Sequence, residues 1–242
     1  VIIVGRAGSC ITRALPQARL TIPLATKMFN PFVVPNKVIE RFGLDDSQIY
    51  EYNFIDPFIW LKDFKPNMEY VHSLLNSYAK MDYSKKCIVI REEEYKASYV
   101  NKQYPIIYEV LEELHKKLNA NIIIIPRYDS EYLKEQFPFA IVLEEKVKIQ
   151  HLLAFSDLFI GGGGTINTES CLLGTPTIST RSFICHYDKY QIDNELMVWV
   201  DNKEALLNNA AMMIRSKSDS ISKKILDQMS LNFDTLIKNI LE

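Results

Sequence analysis

The stretch Asp157-Leu-Phe-Ile-Gly161-Gly-Gly-Gly164-Thr165-Ile-Asn167-Thr-Glu169-Ser-Cys-Leu-Leu-Gly174-Thr-Pro176 reads as a strand that stops on four consecutive glycines and turns at once into a helix. Gly161, Gly162, Gly163 and Gly164 are half of the eight glycines in the chain. Glycine lets the backbone come close to a ligand, and a helix start offers unpaired N–H groups with a partial positive charge. With Thr165 as the N-cap, the turn is a seat for phosphate. A tight strand-to-helix turn without a ligand is the competing reading. A Walker A loop is excluded because no lysine follows the glycines. The dinucleotide fingerprint G-x-G-x-x-G fails as well, since Ile166 or Asn167 stands where its third glycine is needed, and this strand comes fourth in its domain instead of first.

Working outward, short β-branched runs alternate with helical patterns from residue 86 onward, as in a parallel sheet of βαβ units. The expected strands are Cys87–Ile90, Asn121–Ile125, Phe139–Leu143, Leu158–Ile160, Thr177–Ser179 and Met197–Val200. Together they make one complete doubly wound domain. Tyr104–Leu118 places Ile107, Val110, Leu111, Leu114 and Leu118 on one helical stripe. His115 in that helix, and His72 in an expected Met68–Ala79 helix, read as solvated surface, and His151 as a satisfied structural histidine. In the tail, Ile221, Ile225, Met229, Phe233, Ile237 and Leu241 fall four apart, which predicts a helix or a kinked pair with one apolar seam.

Residues 1–62 are less regular. Val1–Val4, Phe29–Val34 and Ile49–Tyr52 read as strands, Pro35–Phe42 as a short helix, and Asn53–Asn67, with Pro57, Trp60 and Pro66, as a connection. This is too little for a second full domain with its own core. The chain reads as starting inside a fold, because it opens on Val1 with no basic, long apolar leader.

Parallel strands deliver their carboxyl ends to one edge, so the residues after each strand should gather around the glycine turn. Arg91, Arg127 and Arg181 follow three different strands, and the planar fork of arginine suits phosphate. Glu169 is one residue too late to close a capping box from Thr165, yet lies one turn beyond it on the same side of the helix. There it can accept hydrogen bonds from vicinal hydroxyls such as those of a ribose, or it is simply an acid favoured in a first turn. Glu93 and Glu94, from the run Glu92–Glu94, and His186, in a loop after Arg181, are the candidate acid and base groups. A solvated loop is the alternative for the glutamates.

Composition removes several classes. The chain is 48% hydrophobic and 24% charged, with 28 basic against 30 acidic side chains and a net charge of −2. Disorder and a strongly basic nucleic-acid binder are therefore excluded. No window approaches the roughly 18 apolar residues of a membrane span. Cys10, Cys87, Cys171 and Cys185 form no C-x-x-C pair, so no zinc site or disulfide framework is signalled, and a reducing cytoplasmic setting is the expectation. No G-x-S-x-G or H-E-x-x-H motif occurs.

The segment Ile160–Pro176, with its glycine run, Glu169 and the close Leu172-Leu-Gly-Thr-Pro-Thr177, resembles the C-terminal domain of the glycosyltransferase-B superfold. It is most similar to a mainly archaeal family of unknown function related to UDP-N-acetylglucosamine 2-epimerase. Leu20–Thr26, Trp60–Pro66 and Ile125–Tyr128 resemble that family too. The resemblance implies an α/β fold with one complete Rossmann-like doubly wound domain (63–216), a partial N-terminal Rossmann-like domain and linker (1–62), and a C-terminal crossover helix (217–242). It implies that Gly162–Thr165 hold a diphosphate, that Glu169 holds the ribose, and that Arg91 and Arg127 line the cleft; Gly161, Asn167 and Arg181 complete the candidate binding residues around them. Val1–Asn53, with the turn Gly5-Arg6-Ala7-Gly8-Ser9, is all that remains to represent the N-terminal domain.

The functional expectation is a glycosyltransferase-like protein that takes a sugar from a nucleotide donor, such as a UDP-sugar, to an unknown acceptor. No D-x-D-like carboxylate pair stands beside a strand, which favours a form requiring no metal or other cofactor. A sugar epimerase is the alternative. Two departures from the resembled epimerases speak against it: Arg91-Glu-Glu-Glu94 replaces their H-R-x-x-N-like motif, and Ser182-Phe-Ile-Cys185 replaces a T-E-R-P-E run. A non-catalytic nucleotide-sugar-binding module or fragment is a third reading. A cleft face left bare by an absent domain would favour homo-oligomers.

Overall fold

The computed structural model describes residues 4–6, 11, 15–92, 94, 96, 106–128, 130–214 and 219–241. Nine strands form two parallel sheets among these residues. The first joins β1 (Val4–Arg6), β2 (Lys27–Pro31) and β3 (Ile49–Tyr52) in the order β1-β2-β3. The second holds β4 (Lys86–Arg91), β5 (Ala120–Ile125), β6 (Ile141–Val142), β7 (Leu158–Gly161), β8 (Thr177–Ser179) and β9 (Met197–Trp199) in the order β6-β5-β4-β7-β8-β9. Strand order reverses between β4 and β7. Ligands of open α/β sheets bind at the carboxyl ends of the strands flanking such a reversal.

The second sheet is buried on both faces, which is why its strands read as near-continuous apolar runs. Alternate residues face opposite ways. On the first sheet pack α1 (Leu15–Thr21) and α2 (Asn36–Glu40), while in the second Ile88, Ile90, Ile122, Ile124, Leu158 and Ile160 pack with α5 (Ile106–Leu118), α6 (Ser130–Gln136) and α10 (Lys203–Met213). Cys87, Val89, Ile123, Ile141 and Phe159 pack on the other side with α4 (Met68–Leu75) and α7 (Ile149–Phe155). Each fully buried aliphatic or phenyl side chain contributes about 1.5–3 kcal/mol of transfer free energy.

Several element bounds depart from the sequence expectation. The second strand ends at Pro31 instead of Val34, because the Val34 N–H bonds Pro31 O at 2.8 Å while Asn30 Nδ2 bonds Val34 O at 2.8 Å, closing a turn. The strand expected over Phe139–Leu143 is only Ile141–Val142, since the Ala140 N–H turns back to Phe137 O at 2.9 Å. The expected Met68–Ala79 helix stops at Leu75. His115 is not a solvated residue: its Nδ1 lies 2.9 Å from Ala120 O and its ring stacks on Phe139 at 4.6 Å. His151 is satisfied, accepting from the Asn67 N–H at 3.1 Å between the Phe64 and Tyr70 rings. Residues 1–3, 7–10 and 104–105, over which parts of the first expected strand, the Gly5–Ser9 turn and the Tyr104–Leu118 helix run, lie outside the described residues.

The segment expected to be a mere connection is core. It contains α3 (Phe58–Leu61), and Phe54, Ile55, Phe58 and Leu61 are buried against Cys171, Leu172, Phe183, Tyr187, Leu196 and Met197. The tail is two helices, α11 (Asp219–Gln228) and α12 (Phe233–Leu241). Ile225 and Met229 enter the same cluster. Asn53 exchanges hydrogen bonds with Gln228 O and the Ser230 N–H, and Lys27 Nζ reaches Asn239 O at 2.6 Å, so the tail rests on the N-terminal region. Among the described residues no helix is long and apolar enough to cross a membrane.

Candidate functional site

Register places Ile125, Arg91, Gly161, Ser179 and Trp199 in one row across the carboxyl edge of the larger sheet. The glycine turn therefore starts at the reversal point, beside Arg91. The Gly162 N–H is used within the sheet, donating to Arg91 O at 2.9 Å. Gly163 is the N-cap of α8 (Gly164–Leu172), with no side-chain cap; Thr165 is not the N-cap but an exposed residue of the first turn. Helix geometry leaves the first N–H groups of α8 without intrahelical acceptors.

The glycines are required for different reasons. A Cβ on Gly161 would lie 2.4 Å from Asn167 Oδ1 and 2.6 Å from the Phe159 ring, and one on Gly164 would lie 3.1 Å from Arg181 Nη1. Packing explains both. At Gly163 the nearest atom would be Arg127 Nη2 at an ordinary 3.5 Å, and φ is −102°, open to any residue. Neither packing nor a positive φ asks for glycine there, and its preference over alanine as an N-cap is modest.

The arginines gather but play unequal parts. Arg127 comes over Gly163, its Nη1 donating to Glu94 and its Nε to Glu92 O at 3.4 Å. Arg91 Nη1 donates to Ile125 O at 3.1 Å and to Pro126 O, and its buried Nε has no partner among the described residues. Burial, and then the like charge of Arg127, lower its basicity, though a guanidinium stays protonated. Arg181 is buried: its Nη1 donates to Asp188 Oδ2 at 2.9 Å and to Cys185 Sγ at 3.1 Å, and its plane covers the Phe183 ring at 4.1 Å. It braces the turn from beneath Gly164. Asn167 does likewise, fully buried with Nδ2 donating to Gly161 O at 3.2 Å.

Glu169 is only 4% exposed, and its Oε1 accepts from Trp60 Nε1 at 2.8 Å and Gln150 Nε2 at 2.9 Å. Neither donor was expected to meet Glu169, because no pattern of types or spacing links it to Trp60, 109 residues away, or to Gln150, 19 residues away on another helix. Asp188 was also missed as a partner of Arg181. Burial, with Arg181 opposing it, pushes its carboxyl up to about 7. His186 opens α9 (His186–Asp193) and is not in a loop, because Asp188 Oδ2 caps the Cys185 N–H at 2.9 Å and starts the helix there. Its Nε2 is buried without a partner among the described residues, and burial lowers its basicity. Glu94 accepts from Tyr128 and Arg127, which hold it below the usual carboxylate range. Glu93 lies outside the described residues. No group of three or more His, Cys, Asp or Glu side chains fit to hold a metal occurs among the described residues.

Two parallel sheets, the larger with a glycine turn at its reversal point, give the chain a glycosyltransferase-B-like α/β fold. Residues 11–242 match the family described as protein of unknown function (DUF354), and the chain belongs to it. An uncharacterised protein of Methanocaldococcus jannaschii, MJ0665, is 31% identical over 207 residues, covering 79% of this chain and 56% of that protein. The chain thus spans little more than half of this relative's length. UDP-GlcNAc 2-epimerase from Neisseria meningitidis, solved bound to UDP-GlcNAc, superposes with a TM-score of 0.67 at 16% identity, covering 98% of this chain and 70% of that one. The glycotransferase of kitacinnamycin gives 0.58 at 12% identity, covering 90% and 56%. At these identities the likeness is one of fold.

Proposed function

We propose that the chain holds the nucleotide-sugar donor of a glycosyltransferase-like enzyme, with a UDP-sugar as substrate. The observation that carries this reading is Gly163: a glycine with no packing or conformational reason of its own stands at the N-terminus of α8, under Arg127, at the reversal point of the sheet. A diphosphate against that backbone gives the reason. The N–H groups of the first turn and the guanidinium of Arg127 accept its charge, with Arg91 behind them, and Glu169 receives the ribose.

Transfer then proceeds by direct displacement. The acceptor oxygen bonds to the anomeric carbon as the bond to the diphosphate breaks, and the leaving oxygen keeps the electron pair. Preorganised N–H donors and arginines stabilise that developing charge, so no metal is required. Glu94, beside Arg127, is the candidate to take the acceptor proton, and its two donors make it a weaker base than an ordinary carboxylate until the acceptor displaces them. The structural likeness to an epimerase favours epimerisation as a second reading. Solvent deuterium in recovered sugar would select it, and transfer would leave the sugar unlabelled.

Calorimetric titration with UDP and UDP-N-acetylglucosamine tests the donor site. Micromolar binding is expected, weakened by about 1–3 kcal/mol in Glu169→Ala, the cost of losing a charged hydrogen-bond partner. A folded chain that binds neither nucleotide would reduce the glycine turn to a structural feature.

A further inference from the structure

Both donors to Glu169 come from outside its own helix, and both end on the same oxygen. Trp60 reaches Oε1 from α3 and Gln150 reaches it from α7. Among the described residues no donor meets Oε2, and Oε2 is not one of the buried atoms left without a partner. Two anchors on one oxygen stop the carboxylate from rotating. The other oxygen keeps its full acceptor capacity in a fixed direction. Trp60 makes this bond although the residue is 44% exposed.

We propose that Trp60 and Gln150 are positioning residues that lock Glu169 so that Oε2 receives the 2′-hydroxyl of a nucleotide ribose, making the site select ribonucleotides over their 2′-deoxy counterparts. This rests on the donor-site reading above. A hydroxyl donating to an ionised carboxylate makes a strong bond only when distance and angle are right. A site built to bond a hydroxyl rejects an analogue without one, because its acceptor is then left unpaired. Freeing the carboxylate keeps the charge and loses the discrimination.

The experiment measures Kd of the whole chain for UDP, 2′-deoxy-UDP and inorganic pyrophosphate, in wild type, Trp60→Phe and Gln150→Met. Gln150→Met keeps size, and Trp60→Phe keeps an aromatic ring at a half-exposed position while removing the N–H. The wild type is expected to favour UDP over its deoxy analogue by about tenfold or more, and each variant to cut that ratio by about threefold or more with pyrophosphate affinity unchanged. A ratio retained in both variants overturns the positioning role and leaves the donor site standing. Equal weakening of all three ligands marks a structural role and overturns it too. A wild type that binds none of the three overturns the donor-site reading, and the inference with it.

Discussion

The two sheets bury themselves in different ways. The six-stranded sheet closes both faces with its own helices, α5 and α10 on one side and α4 and α7 on the other. The three-stranded sheet covers one side with Ile22, Met28, Val34, Ile39 and Ile49, but on the other shares Phe29 and Tyr52 with residues of α8, α9, β9 and α11. A self-sufficient core makes a rigid edge on which a turn can be placed with precision. A shared core ties that edge to the N-terminal region, so Trp60 can reach Glu169 across the seam. The glycine turn sits where the two kinds of packing meet.

Removing a core ring from the self-sufficient sheet is the hardest blow to this contrast. Phe159 is fully buried on β7, two residues before the turn. Phe159→Ala should lower stability by about 3–5 kcal/mol in denaturant unfolding, the usual cost of a lost phenyl and the cavity it leaves. A loss below about 1 kcal/mol would mean that this core collapses readily and does not hold the turn rigidly.

The glycines sharpen the comparison within one turn. Gly161→Ala pushes a methyl group into the Phe159 ring and Asn167, neither of which has room to move, and should cost about 1–3 kcal/mol of stability. Gly163→Ala meets only ordinary contact and should cost under about 1 kcal/mol as a poorer N-cap. Its effect belongs in UDP affinity, which should fall while the unfolding midpoint scarcely moves. Reversed outcomes, with affinity intact and stability lost at Gly163, would return the turn to a purely structural role.

The self-sufficient region was the legible one. Runs such as Ile122–Ile125 are apolar because a parallel sheet is covered on both faces, so the six strands could be placed from residues close in sequence. The glycine run was legible for the same local reason. The shared core was not: Phe54, Ile55 and Phe58 share their cluster with residues more than a hundred positions away, such as Cys171 and Tyr187, and a segment punctuated by prolines reads as a connection when those partners are unseen. The site divides likewise. The placement of Arg91, Arg127 and Glu169 around the turn is readable from strand ends and helix phase, whereas the donors on Glu169 and the burial of Arg181 against Asp188 depend on tertiary contacts. Asn167 and Arg181 were expected at a ligand, and the structure turns both inward to brace the backbone.

The smallest effect probes the seam itself. Asp188 is buried against Arg181, the Cys185 N–H and Cys185 Sγ, beside the shared core, and burial raises its carboxyl from an ordinary 3.8 to about 7. The folded chain therefore holds this proton more tightly than the unfolded one. The stability it contributes is complete below about pH 4 and is lost as pH rises through about 7. Between pH 6 and pH 8 the wild type should lose roughly 1 kcal/mol relative to Asp188→Asn, which cannot titrate, in paired urea unfolding curves. Phe159→Ala should carry the same pH dependence as the wild type, because its cavity lies in the other core. A difference between wild type and Asp188→Asn that stays constant over this range would mean that Arg181 keeps the carboxylate ionised throughout, and that the seam is held by a permanent ion pair.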